Sequence, residues 1–236
     1  MEGCGKALAP ADQPAQGRLR MIRTKRSIFR MLDKQQRRKD GLVIAFMTDL
    51  VRTPDPVRAM LALAPGTLVI FRHYDDPDRE ILGRRLRAIA KRRRLPFLVA
   101  GDRRLAKRLK ADGLHLPDGM VRRRARFAPL TDRWLVTAAA HGRAGARRAD
   151  RADIDMVLLS PIFATASHPG RPPMGLIGLA SSVRQLGCRV LALGGIGPNN
   201  ARRVLKIGGV GLAGISGIAQ LSHDPYTLRD PSNWRN

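Results

Sequence analysis

Eight short apolar runs punctuate the chain, at residues 42–47, 67–71, 96–100, 113–116, 133–137, 155–160, 189–194 and 209–216. Each is a continuous Val-, Ile- and Leu-rich stretch rather than a clean alternation, the pattern of a strand buried on both faces. Amphipathic or charged stretches separate them, at 55–63, 76–94, 103–110, 141–151, 176–186 and 199–206. Strand alternating with helix predicts parallel strands joined by crossovers. Eight strands in sequence with no break count out as a single (β/α)8 TIM barrel. No GxGxxG follows the first run, which sets the doubly wound sheet aside.

The flanks lack this pattern. Residues 1–20 show neither period, and 21–40 mix Arg and Lys with Ile22, Ile28, Phe29, Met31 and Leu32. The expected organisation is a basic, partly disordered N-terminal extension (1–40), a barrel (41–222) and a C-terminal tail (223–236). No stretch approaches the roughly 20 apolar residues of a membrane helix. No apolar signal core opens the chain, and its Cys residues are Cys4 and Cys188 alone. A cytoplasmic protein without membrane partner or disulfide framework is expected.

Charge adds one feature. Lys and Arg number 44 against 19 acids in 236 residues, a net charge of +25. Such a surface attracts polyanions nonspecifically. The basic runs hold no interleaved aromatics for base stacking, so a solvated Arg-rich exterior is the expectation. A narrower use of positive charge is to steer a phosphorylated substrate.

Chemistry in such barrels sits at the C-terminal ends of the strands, and phosphate often sits on the loops after strands seven and eight. Run seven ends in Gly194-Gly195-Ile196 ahead of a helix opening at Pro198-Asn199-Asn200, and run eight ends in Gly214-Ile215-Ser216-Gly217. Glycines at a strand end let backbone N–H groups approach an anion, and a helix N-terminus adds partial positive charge. Gly194, Gly195, Ile215 and Ser216 are therefore the candidate phosphate cradle.

Residues 155–218 resemble the thiamine phosphate synthase / TenI-type thiazole tautomerase family. Ser160-Pro161-Ile162-Phe163-Ala164-Thr165-Ala166-Ser167-His168, followed by Pro173-Met174-Gly175, is similar to its Gly-Pro-Ile-Phe-x-Thr-x-Thr-Lys loop. Leu191–Ile196 and Gly211–Ser216 are similar to its phosphate-binding strand ends, and Ala111-Asp112-Gly113-Leu114-His115-Leu116 to its Ala-Asp-Gly-Val-His-Leu strand. The resemblance implies the barrel fold and thiamine biosynthesis, with thiazole phosphate or thiamine phosphate as ligand. It also implies contacts from Thr165, Ser167, His168 and Arg72; a homo-oligomer stays open.

Departures from that pattern fall on one side of the expected site. The pyrimidine-diphosphate strand end, Gln-Leu-Arg-Glu-Lys in the family, reads Ile70-Phe71-Arg72-His73-Tyr74 here. The family's Asn-Asp pair falls on Ala100-Gly101, and its second metal carboxylate on Met120. The diphosphate-contacting Ser aligns with Ala139 and the loop Lys with His168. Mg²⁺ needs hard oxygen ligands. Asp102 and Asp118, off register, are the nearest carboxylates, so no metal or other cofactor is expected unless the chain is a synthase.

The thiazole side keeps its residues, and His141 matches the family's Ser-x-His position. Tautomerisation needs one group that gives and takes a proton near neutrality, which suits imidazole. His141 is thus the candidate acid/base, although a histidine at a helix start also serves as a cap or a solvated residue. His115 reads as a satisfied interior residue, and His73 and His168 as loop residues. The function expected is metal-independent, tautomerase-like chemistry on a thiazole phosphate. The alternatives are a Mg-dependent thiamine-phosphate synthase and a non-catalytic phosphate-ligand or RNA-associated barrel.

Overall fold

The computed structural model describes residues 43–121, 134–152, 154–165, 170, 172–208, 210–216 and 218–223. The N-terminal extension, most of the C-terminal tail, Ser167 and His168 lie outside the described residues. The strands are β1 (Ile44–Met47), β2 (Leu68–Phe71), β3 (Phe97–Ala100), β4 (Gly113–Leu116), β5 (Leu135–His141), β6 (Met156–Ser160), β7 (Arg189–Leu193) and β8 (Val210–Gly214). They pair in parallel in sequence order, and β8 pairs with β1 to close the barrel.

A helix follows each strand: α1 (Pro56–Leu61), α2 (Arg79–Arg93), α3 (Arg103–Arg108), α4 (Asp118–Val121), α5 (Gly142–Arg151), α6 (Gly175–Gln185), α7 (Pro198–Leu205) and α8 (Ile218–His223). Several starts are written in the sequence. Asp55 and Asp102 accept hydrogen bonds from the Arg58 and Leu105 amides, both at 2.9 Å, satisfying donors that a helix start leaves open. Pro56 and Pro198 open α1 and α7, where a missing N–H costs nothing.

Alternation along each strand sorts its side chains into two cores. Phe46, Val69, Phe71, Phe97, Val99 and Leu114 face outward and pack beneath the helices with Leu86, Ile89 and Leu105. Ala45, Ile70, Leu98, Leu158, Leu191 and Ala213 face inward and fill the barrel. All of these are essentially inaccessible. Continuing the inward phase past the strand tops leads from Ile70 to Arg72, from Thr137 to Ala139 and His141, and from Leu158 to Ser160. It leads likewise from Leu191 to Leu193 and from Ala213 to Ile215.

Two expectations need correction. The fifth run, expected to end at residue 137, extends to His141, because Ala138–His141 pair in register with Val157–Ser160 of β6. Alanine has little strand preference of its own; the neighbouring strand supplies the order. The short α4 was not expected either, its four residues being too few to show a period.

Candidate active site

The C-terminal end of the barrel opens into a cavity of about 430 Å³. Seven of the expected catalytic and ligand-binding residues line it: Arg72, His141, Thr165, Gly194, Gly195, Ile215 and Ser216. The sequence reasoning gave no role in the wall to Arg52, Tyr74, Ser160 or His115; all four are in it.

The β6–β8 side is built from backbone and small side chains. Gly194 and Gly195 adopt φ of +97° and +65°, values glycine takes without penalty. A Cβ on Gly195 would stand 2.5 Å from the Ala164 carbonyl oxygen, so the loop after β6 closes directly onto this turn. The Ile162 and Phe163 amides donate to the Leu193 and Gly194 carbonyls at 3.0 and 3.1 Å. Asn200 fixes the other flank, donating to Gly195 O at 2.8 Å and accepting from the Gly197 amide at 3.0 Å. The turn is thus braced on both flanks, with α7 beginning directly behind it.

His141 is the last residue of β5, and its Nδ1 lies 3.1 Å from Ser160 Oγ at the end of β6. The ring is oriented by a hydroxyl on the adjacent strand, and both residues face the cavity. Ser160 is buried.

On the β1–β4 side the side chains are engaged with one another. Asp49 accepts from Arg52 at 2.9 Å and from Arg72 at 3.3 Å. The hydrogen bond from Arg52 is the main reason that the Asp49 carboxyl titrates at about 2. The Arg72 amide donates to Thr48 Oγ1, which lies 2.9 Å from His73 Nδ1. His73, expected in a loop, is buried immediately after β2, outside the cavity wall, and burial lowers its pKa. His115 is buried with Nδ1 2.8 Å from Thr137 Oγ1; burial, reinforced by the Arg72 charge, holds its pKa at about 3. It is therefore neutral at ordinary pH.

The two carboxylates nearest the expected metal positions have other partners. Asp102 caps α3 through the Leu105 amide. Asp118 lines the cavity but pairs with Arg148 at 3.3 Å. Gly101, at φ +74°, bends the chain between Ala100 and Asp102, and Tyr74 packs over it, with its Cε1 3.1 Å from where a Cβ would be. Arg79 braces Tyr74 from the other side, its guanidinium 5.3 Å from the ring centroid and its Nη2 donating to Ala100 O at 2.6 Å. Among the described residues no group of three or more His, Cys, Asp or Glu is placed to hold a metal ion. Among the described residues, the carboxylates nearest the expected metal positions would have to leave these partners, the Leu105 amide and Arg148, to hold Mg²⁺.

Comparison with known proteins connects this geometry to a family. The profile described as thiamine monophosphate synthase matches residues 47–218. The chain belongs to that family. Its relatives carry the name of an enzyme of thiamine biosynthesis. It is 31% identical over 156 residues to the thiamine-phosphate synthase of Leuconostoc citreum, covering 66% of this chain and 72% of that one. With the thiamine-phosphate synthase of Bacillus velezensis the identity is 26% over 197 residues, covering 79% and 87%. Among solved structures, thiamine phosphate pyrophosphorylase from Pyrococcus furiosus superposes with a TM-score of 0.67 at 25% identity, covering 80% of this chain and 96% of that one. The match spans the barrel from the end of β1 to the start of α8, and so includes the strand ends that form the cavity. No helix among the described residues is long and apolar enough to cross a membrane.

Proposed function

We propose that the cavity binds a thiazole phosphate and that His141 moves a proton on its ring, with no metal–diphosphate step. The phosphate sits against the Gly194-Gly195 turn and the Ile215-Ser216 strand end, where backbone N–H groups and the start of α7 favour negative charge. The ring then lies toward Thr165 and His141. In a tautomerisation His141 takes a proton from one ring or exocyclic carbon and returns one to another, so atoms and charge balance without a co-reactant. Ser160 holds the imidazole in one orientation, which serves an acid/base that must act at two positions of one ligand.

The observation that carries this reading is the pairing of His141 with Ser160 in the same cavity as the braced diglycine turn. Calorimetric titration with thiazole phosphate is the test. Binding in the micromolar range, lost in Gly195→Val, is expected; no binding at millimolar ligand rules the reading out.

A second reading, Mg-dependent coupling of thiazole phosphate with hydroxymethylpyrimidine diphosphate, draws support from the names of the relatives. Thiamine phosphate formation that EDTA abolishes would establish it. Asp118 would then have to leave Arg148 to act as a ligand.

A further inference from the structure

Several helices carry an acidic residue at one end and cations at the other. Asp55, Asp78 and Asp102 stand at the rim ends of α1, α2 and α3. At the other end, α1, α2, α3, α5, α6 and α7 each carry Arg or Lys in the last turn. Among the described residues one sector is far denser than the rest. On α2 and its cap, Arg84, Arg85, Lys91, Arg92 and Arg94 are exposed; beside them, on and after α3, so are Arg104, Lys107, Arg108 and Lys110. The two elements are in contact, since a Cβ on Gly83 would meet Leu109 Cδ1 at 2.7 Å, and Arg108 reaches Glu80 at 2.8 Å. Glu80 is shared between Arg84 and Arg108, and Asp112 is taken by Arg87. These acids leave the sector strongly positive.

A second observation points the same way. Arg94 and Lys110, at φ +55° and +49°, are the two non-glycine residues with positive φ among the described residues. Each follows the end of one of these two helices, where the left-handed turn normally goes to glycine. The chain places a long cation there instead, in both helices of this sector.

We propose that the α2–α3 sector docks the phosphate backbone of double-stranded nucleic acid. Arginine's planar fork matches phosphate oxygens. Arg84 and Lys91, like Arg85 and Arg92, stand seven residues apart, a spacing that keeps cations on one helix face over about two turns. The sector presents no exposed aromatic as a stacking platform, which favours backbone contact over base reading in a single strand. Its exposed large apolar side chain is the single Ile81, in the first turn of α2 beside Arg84 and Arg85, too little apolar surface to anchor the sector in a bilayer. The face is separate from the cavity, and the proposal does not depend on the ligand bound there.

The test is fluorescence anisotropy of a labelled 20-base-pair duplex of arbitrary sequence with the full chain across a salt series. Log affinity is expected to fall linearly with log salt, by about 0.9 for each phosphate neutralised. Arg92→Glu with Lys107→Glu should weaken binding about tenfold or more and flatten that slope. Arg94→Gly with Lys110→Gly should weaken it severalfold while the Tm holds or rises, because glycine suits the left-handed turn; this pair guards against mistaking misfolding for lost contact. Parent-like binding by both double variants would overturn the proposal and assign the affinity to residues 1–40, which hold 11 Lys and Arg against 4 acids. Competition by polyglutamate at equal charge, or equal binding to anionic phospholipid vesicles, would also overturn it. So would absence of duplex binding at low salt.

Discussion

The two sides of the cavity are made of different material. From β6 to β8 the wall is backbone: a diglycine turn braced by Phe163 and Asn200, with hydroxyls and one oriented imidazole beside it. From β1 to β4 it is long side chains that already satisfy one another, Arg52 and Arg72 on Asp49, Asp118 on Arg148, Tyr74 between Arg79 and Gly101. A wall of backbone donors is fixed by the fold and needs no rearrangement to meet an anion. A wall of partly exposed ion pairs must exchange those partners before it can serve another, at a small cost per pair. On the proposed reading, one ligand with one phosphate uses the braced wall and leaves the ion pairs of the other wall in place.

The comparison is broken most directly at the braced side. Gly195→Val adds a side chain where even a Cβ meets Ala164 O and forces an unfavourable φ. Strain and overpacking together should cost about 2–5 kcal/mol. Thiazole phosphate binding should disappear from calorimetry, and Tm should fall. Next in size is His141→Ala, which should lower tautomerase turnover about 10²–10⁴-fold with ligand affinity within a few-fold. Ser160→Ala should fall between parent and His141→Ala, since the ring remains but loses its orienting hydroxyl. If the His141 variant keeps full activity in a coupled assay, the histidine is only part of the rim.

Smaller effects come from the paired side. The His115 pKa lies at about 3 in the folded protein, below the ordinary value of 6.5, so the unfolded chain binds the extra proton first. This stabilisation is complete above pH 6.5 and is lost as pH falls from there toward 3. Asp49, held at about 2 against 3.8, adds its own loss only below about pH 4. Tm followed from about pH 7 to about pH 4 should decline in the parent and be flatter in His115→Gln. The smallest change is expected from the metal. Millimolar Mg²⁺ should alter thiazole phosphate affinity less than about twofold, and Gly101→Asp should not create a dependence, since the φ of +74° and the Tyr74 ring both oppose a side chain there. A Mg²⁺-dependent gain in the parent would mean that Asp118 is released from Arg148; one confined to Gly101→Asp would mean that the new carboxylate reaches the ion.

How much of this could be read without coordinates follows the same division. The eight strands were legible because each holds a short, largely apolar run, although the alanine half of β5 was not, and the diglycine turn because only a few residues serve such a purpose at a strand end. Arg52 and Tyr74 were not legible as wall residues. Each lies in a loop after a strand, where neither period applies, and each is placed by a tertiary partner distant in sequence or by an ion pair three residues back. Asp102 illustrates the limit in the other direction. It keeps the inward parity of Ala100 by count, yet the left-handed Gly101 ends that parity and turns the carboxylate into a helix cap.

Closure of β8 onto β1 has a consequence for how the chain could be rearranged. Ile44 to Phe46 pair in register with Leu212 to Gly214, and Ser222 of α8 accepts from the Ala64 amide across the seam at 3.4 Å. The first strand and the last helix are therefore neighbours, and the order in which the units are strung is a matter of where the polymer happens to be cut. A short bridge from residue 223 to residue 43, with new ends opened in an exposed loop such as the one after α7, should give a circular permutant that reassembles the same ring.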